Sequence, residues 1–217
     1  MSEADLHVRE AVARVRGFYA ILDRDDEALA RALVAPGGAT VLQVRLKPAS
    51  TREILAAARM ARRVATEAGA MLVVNDRVDI AMAVDADGVH LGQDDLTVAD
   101  ARAALAGRPM VIGVSTHGLQ QVHEAIAAGA DYLGFGPVFA TGTKSNPDPV
   151  VGLDGLRAAV AIARAARVPV VAIGGITLAE AAAVAATGVE AAAAIAAVNR
   201  APDVAGTART VAAHWRA

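Results

Sequence analysis

The stretch Ser50-Thr-Arg-Glu-Ile-Leu-Ala-Ala-Ala-Arg-Met-Ala-Arg-Arg-Val-Ala-Thr-Glu-Ala-Gly-Ala-Met-Leu-Val-Val-Asn-Asp76 decides the fold. It opens on the hydroxyls Ser50-Thr51 with Glu53 close behind, the pattern of a capping box. An Ala/Arg/Glu run of helical period follows and stops at Gly69, as a helix C-terminal cap should. Met71-Leu-Val-Val74 is then a short apolar run of buried-strand character. It ends in two polar residues, Asn75-Asp76. A capped helix, a glycine, an apolar strand and a polar tip make one unit.

Working outward, the same unit recurs. Strands are expected near 17–22, 40–45, 71–74, 87–91, 110–114, 131–135, 169–173 and 190–194. Helices are expected near 25–35, 50–68, 77–84, 97–106, 118–128, 153–166, 177–186 and 203–216, with an extra one at 4–14. Thr97 with Asp100, and Thr177 with Glu180, repeat the capping pattern, and Gly107, Gly129 and Gly188 each follow a helix. Alternating strands and helices imply a parallel sheet. The Gly-rich pieces Gly134-Phe-Gly136 and Gly174-Gly175 lack the six-residue dinucleotide fingerprint. The fold class is therefore α/β, a single (β/α)8 TIM barrel over 1–217, with 1–16 as an N-terminal helical extension. The eighth strand, Glu190–Ala194, has the least support, because alanine does not favour strands.

Length and composition agree. One barrel of this type commonly takes roughly 200–250 residues, and the chain has 217. Lys and Arg number 21 against 23 Asp and Glu, and aromatics are 3%, so no basic excess points to a nucleic-acid surface and stacking platforms are scarce. With no cysteine, disulfides, thiol nucleophiles and Cys-ligated metals are excluded. Met1-Ser-Glu-Ala-Asp-Leu-His-Val-Arg-Glu10 has no apolar core like that of a signal peptide. Ala181–Val198 is too weakly hydrophobic, and too interrupted by Thr187, Gly188 and Glu190, for a membrane span. The expectation is a cytoplasmic chain with small-molecule partners, no nucleic acid and no membrane; whether it forms a homo-oligomer stays open.

In such barrels the chemistry sits at the C-terminal ends of the strands. Gln43, Arg45 and Lys47 alternate, so an extended segment presents all three on one side, as phosphate-binding groups or as a solvated strand end. Asp76 and Asp95 follow neighbouring strands, and each reads either as a helix cap or as a carboxylate for Mg2+, which takes few protein ligands plus water and phosphate oxygens. Asp94 is a weaker candidate beside Asp95. Ser115 is a phosphate ligand or a helix cap, and His117 a base or a structural histidine. The irregular segment 137–152 is long enough for an active-site loop, and its Thr141-Gly-Thr143-Lys144 supplies two hydroxyls and a cation without Walker spacing. Gly174-Gly175-Ile176 is either a tight turn or a set of backbone donors for phosphate. Together these strand tips have the composition of a magnesium-pyrophosphate site.

The ordered set of motifs resembles the thiamine-phosphate synthase family over nearly the whole chain. It is carried by Gln43-Val-Arg45-Leu-Lys47, Asn75-Asp76-Arg77-Val-Asp79 and Asp87-Gly-Val-His-Leu-Gly-Gln-Asp-Asp95. Gly113-Val-Ser115, Ala130-Asp-Tyr-Leu-Gly-Phe-Gly-Pro-Val-Phe139, Thr141-Gly-Thr143-Lys144 and Ala172-Ile-Gly-Gly-Ile176 continue it. The resemblance implies a transferase that joins hydroxymethylpyrimidine pyrophosphate to a thiazole phosphate, releasing pyrophosphate. It implies that Gln43, Arg45, Lys47 and Asn75 bind the pyrimidine pyrophosphate and that Asp76 and Asp95 hold Mg2+. It also gives Ser115 to the pyrimidine or pyrophosphate, Thr141, Thr143 and the Gly175 amide to the thiazole phosphate, and Lys144 to the pyrophosphate. Arg45, Lys47, Lys144 and Ser115 would be the catalytic groups. One departure stands out: the family commonly has a Ser after the eighth strand where this chain has Ala196, and a Gly where it has Ala191. Two other readings compete, a thiazole tautomerase on the same fold using His117, and a non-catalytic barrel binding a phosphate ligand.

Overall fold

The computed structural model describes residues 3–141 and 148–215. Eight parallel strands close in sequence order: β1 (Gly17–Leu22), β2 (Val41–Val44), β3 (Met71–Asn75), β4 (Gly88–Leu91), β5 (Val111–Thr116), β6 (Tyr132–Phe135), β7 (Val170–Ile173) and β8 (Ala191–Ala193). The weakly supported eighth strand exists. Its three alanines pair with Val171–Ile173 on one side and with Gly17–Phe18 on the other. Ladder bonds on both edges outweigh alanine's poor strand preference.

Helices follow the strands. They are α1 (Glu3–Val12), α2 (Glu27–Leu33), α3 (Thr51–Ala68), α4 (Val78–Ala83), α5 (Val98–Leu105), α6 (Leu119–Ala127), α7 (Gly152–Ala166), α8 (Leu178–Ala185), α9 (Ile195–Asn199) and α10 (Val204–Ala213). The expected capping boxes form at Ser50/Glu53 and Thr177/Glu180, and Gly69 takes the left-handed cap of α3 at φ 67°. The short helix α9 was not expected, because Ile195–Asn199 shows too few turns for a helical period to be read.

The strand period of two sorts the core into layers. Tyr19, Ile21, Val41, Met71, Val73, Val111 and Tyr132 fill the barrel interior, whereas Leu42, Leu72, Val74 and Leu133 pack outward under the helices. Ala11 and Val15, with Val8 and Val12 beside them, join the interior cluster, so α1 plugs the N-terminal end of the barrel.

Register at that end has a repeated lock. Carboxylates just before β4, β6 and β8 accept the amide at the start of the preceding strand. Asp87 Oδ2 accepts from Leu72 N at 2.7 Å, Asp131 Oδ2 from Ile112 N at 2.7 Å, and Glu190 Oε2 from Val170 N at 2.9 Å. Arg62 pairs with Asp87, and Arg102 with Asp131. These acids therefore hold strands together at the end far from the barrel mouth.

Candidate active site

A cavity of about 970 Å³ opens at the C-terminal ends of the strands. Its wall gathers most of the expected residues: Arg45 and Lys47 from β2, Asn75 and Asp76 from β3, Asp95 after β4, and Ser115 on β5. Thr141 and Gly175 line it as well. Thr143 and Lys144 lie outside the described residues.

The capping alternatives for the polar tips are removed by geometry. The N-cap of α4 is Arg77 and that of α5 is Thr97, so neither Asp76 nor Asp95 caps a helix. Asp76 instead holds a left-handed backbone at φ 62°, with its N–H donating to His90 O at 2.8 Å. This conformation is unusual for a residue with a side chain, though aspartate tolerates it better than most. The turn places the Asp76 carboxylate 2.6 Å from Lys47 Nζ. Asp95 Oδ2 accepts from Gly92 N at 2.7 Å. Burial raises the Asp95 carboxyl above its ordinary value, and a hydrogen bond that its protonated form donates to the Asp76 carboxylate, with the charge of Asp76, pushes it further up; the Gly92 amide and Lys47 pull it down. The two carboxylates thus face each other beside Lys47.

Ser115 is likewise no cap, since α6 starts at Gly118 without a side-chain bond. Its hydroxyl ends a chain of polar groups through the barrel interior. Gln43 Nε2 donates to Tyr19 Oη at 3.0 Å, and Tyr19 Oη lies 2.8 Å from Tyr132 Oη. Tyr132 Oη lies 3.0 Å from His90 Nδ1, and His90 Nε2 lies 2.9 Å from Ser115 Oγ. The chain ties Gln43, beneath the floor, to the Ser115 hydroxyl at the cavity through two tyrosines and one imidazole.

Burial, followed by the charge of Arg45, lowers the His90 pKa to about 4, so the ring is neutral at pH 7. Burial also raises both tyrosines, which stay protonated donors. Gly113 makes room for this chain: a Cβ there would stand 2.1 Å from Tyr132 Cζ. Gln43 is only 2% exposed and sits below the cavity floor rather than on its wall.

The long loop is anchored at its base. Val151 N donates to Pro137 O at 2.9 Å, and Val138 N and Phe139 N donate to Ile173 O and Gly174 O. His117 serves that base. Its Nδ1 lies 2.6 Å from Gly136 O, so Nδ1 carries the proton, and its Nε2 lies 3.5 Å from Asp148. The loop also explains Gly175, at φ 66°: a Cβ there would come within 2.4 Å of Ala140 O.

Four contributors were not singled out from the sequence. Tyr19, His90 and Tyr132 carry a readable signal, as polar residues at inward positions of apolar strands. Arg200 lines the cavity just after α9, and nothing in its local sequence marks it.

A closed α/β barrel with cations, paired carboxylates and glycine-turn amides around one mouth belongs to the class of barrel enzymes that act on phosphorylated small molecules. The comparisons narrow the class. A family model described as thiamine monophosphate synthase matches residues 18–198, and the chain belongs to that family. It is 50% identical over 173 residues to the thiamine-phosphate synthase of Chloroflexus aurantiacus, covering 80% of this chain and 78% of the relative. To that of Moorella thermoacetica it is 46% identical, covering 80% of each. The solved thiamine phosphate pyrophosphorylase from Pyrococcus furiosus superimposes with a TM-score of 0.82 at 39% identity, over 93% of this chain and 96% of that one. A 3-hexulose-6-phosphate synthase, TM-score 0.70 at 22% identity over 91% of this chain and 99% of that one, shares the fold. Membership makes the chain a transferase of thiamine biosynthesis and favours neither the tautomerase nor the non-catalytic reading. Among the described residues no helix is long and apolar enough to cross a membrane.

Proposed function

We propose that the cavity binds a pyrimidine pyrophosphate on its β2–β5 side and a thiazole phosphate on its β6–β8 side, and forms thiamine phosphate with Mg2+. The observation that carries this reading is the meeting of the Asp76 and Asp95 carboxylates, with Lys47 2.6 Å from Asp76 and Arg45 in the same cavity.

Two facing carboxylates fit a hard divalent cation that completes its shell with water and phosphate oxygens. Among the described residues no cluster of three or more His, Cys, Asp or Glu offers a fuller protein cage. When bound by Asp76 and Asp95, Mg2+ would neutralise charge on the pyrophosphate. The chain's own residues supply the rest. The C–O bond from the pyrimidine methylene to pyrophosphate breaks, and its electron pair goes to the leaving oxygen. Arg45 and Lys47, with Lys144, stabilise the charge that develops there. Ser115, held by His90, brings its hydroxyl to the cavity beside them. The thiazole nitrogen lone pair then forms the C–N bond to the methylene. Thr141 and the Gly175 amide hold the thiazole phosphate, and Thr143 is assigned with them. Asn75 and Gln43 serve the pyrimidine pyrophosphate half, Gln43 through the chain beneath the floor. Water must be kept out, because it would consume the cationic methylene.

Phosphorylated substrates do not cross membranes unaided, so the same proposal places the work in the cytoplasm. The direct test mixes purified protein, both substrates and Mg2+ and follows thiamine phosphate. Product that disappears with chelator supports the reading. No product, and none restored by Ala196→Ser, would sink it.

A further inference from the structure

The two sides of the cavity differ in charge. On the β2–β4 side stand Arg45, Lys47 and two carboxylates. Between β7 and the end of α9 the lining is Ile173, two glycines, Ile176, Thr177 and then alanines with Ile195. Thr177 is committed to capping α8 with Glu180. The one charged side chain described on this side is Arg200.

Arg200 is exposed to the cavity, and no hydrogen bond or ion pair is described for its guanidinium. Its backbone, by contrast, is fixed. The preceding residue, Asn199, is 3% exposed, and its Nδ2 donates to Ile21 O and to Asp23 Oδ1, both at 2.9 Å. Arg24 Nη2 donates to Asn199 O at 3.3 Å. The C-terminal end of α9 is therefore bolted to the end of β1, and Arg200 springs from that bolt with its charge unspent. β1 contributes no residue to the lining.

We infer that Arg200 is the cation that binds the phosphate of the thiazole partner and selects the phosphorylated form over the free alcohol. This rests on the function proposed above. Backbone amides alone donate hydrogen bonds but no net charge, whereas a phosphate monoester carries roughly −1.5 to −2 at pH 7. A guanidinium fork supplies both charge and paired donors. It also accounts for how a site with Ala196 in the place of a hydroxyl can hold that phosphate.

The test compares wild type with Arg200→Ala in steady state. Removing a charged hydrogen-bonding partner should raise KM for thiazole phosphate about 10- to 100-fold. KM for the pyrimidine pyrophosphate should stay within about twofold, and the thiazole alcohol should react equally with both proteins. Adding Ala196→Ser to Arg200→Ala should recover part of the loss, which no general structural role would predict. An unchanged thiazole-phosphate KM, or equal rises in both KM values, would overturn the inference while wild-type turnover leaves the functional reading standing. Should the wild type form no thiamine phosphate, that reading falls, and titration of thiazole phosphate onto both proteins still decides Arg200. Weaker binding by Arg200→Ala supports its anion role, and equal binding refutes it.

Discussion

At the scale of single residues, Asp76 shows how backbone and charge are separable. Its φ of 62° suits Asp, Asn and Gly, while alanine there carries strain of about 1 kcal/mol or more. Asp76→Asn should therefore keep the melting temperature and abolish Mg2+-dependent turnover, whereas Asp76→Ala should lose both. Full activity in Asp76→Asn, measured by thiamine phosphate formation, would remove this carboxylate from the metal site. His90 gives a second residue-scale expectation. Its pKa is near 6.5 when unfolded and about 4 in the fold. Between those values the unfolded chain binds a proton that the native chain does not. Its contribution is complete above pH 6.5 and is lost by up to about 1.4 kcal/mol per unit as pH falls toward 4. Denaturant melts of wild type and His90→Asn across this window should differ in slope, the variant being flatter. Parallel slopes would show that the imidazole is not held neutral.

At the scale of elements, the strands were readable because each is an apolar run between capping signals. The capping boxes at Ser50 and Thr177 and the glycine at 69 fall where the sequence places them. α9 was not readable, being five residues held by tertiary bonds from Asn199 to β1 rather than by its own periodicity. The locks at the N-terminal end were also hidden. Asp87, Asp131 and Glu190 look like surface acids, and only the register shows them accepting strand amides. Asp131→Ala would leave Ile112 N–H and Arg102 without that acceptor. It should destabilise by about 1–3 kcal/mol in a denaturant melt and leave both KM values alone. A changed KM with unchanged stability would move Asp131 from the lock to the site.

At the scale of the whole molecule, the cavity joins groups from nearly every strand, and ligands should report on that joint. Mg2+ and pyrophosphate share Asp76, Asp95, Arg45 and Lys47 in the proposed arrangement. The two together should raise the melting temperature by more than the sum of their separate shifts, because each completes the other's site. Additive or absent shifts in a thermal scan would argue against a shared site. The composition and order of the strand tips could be read along the chain, because the residue types and their spacing after apolar runs are local facts. Cations, then carboxylates, then hydroxyls at successive strand tips pointed to a phosphate-handling barrel, and the motif set to its family.

The sequence by itself determined the alternation of helix and strand, the polar tips and the chemistry they can perform. Those follow from side-chain type and from periods of 2 and 3.6, which need no partner. Only the tertiary structure decided which of these groups meet. It turned Asp76 toward both Lys47 and Asp95, and it linked Gln43, under the floor, to Ser115 through Tyr19, Tyr132 and His90. It also brought Arg200 to the mouth. The reason is closure: joining β8 to β1 sets the distance between residues far apart in the chain, and neither propensity nor spacing contains that distance.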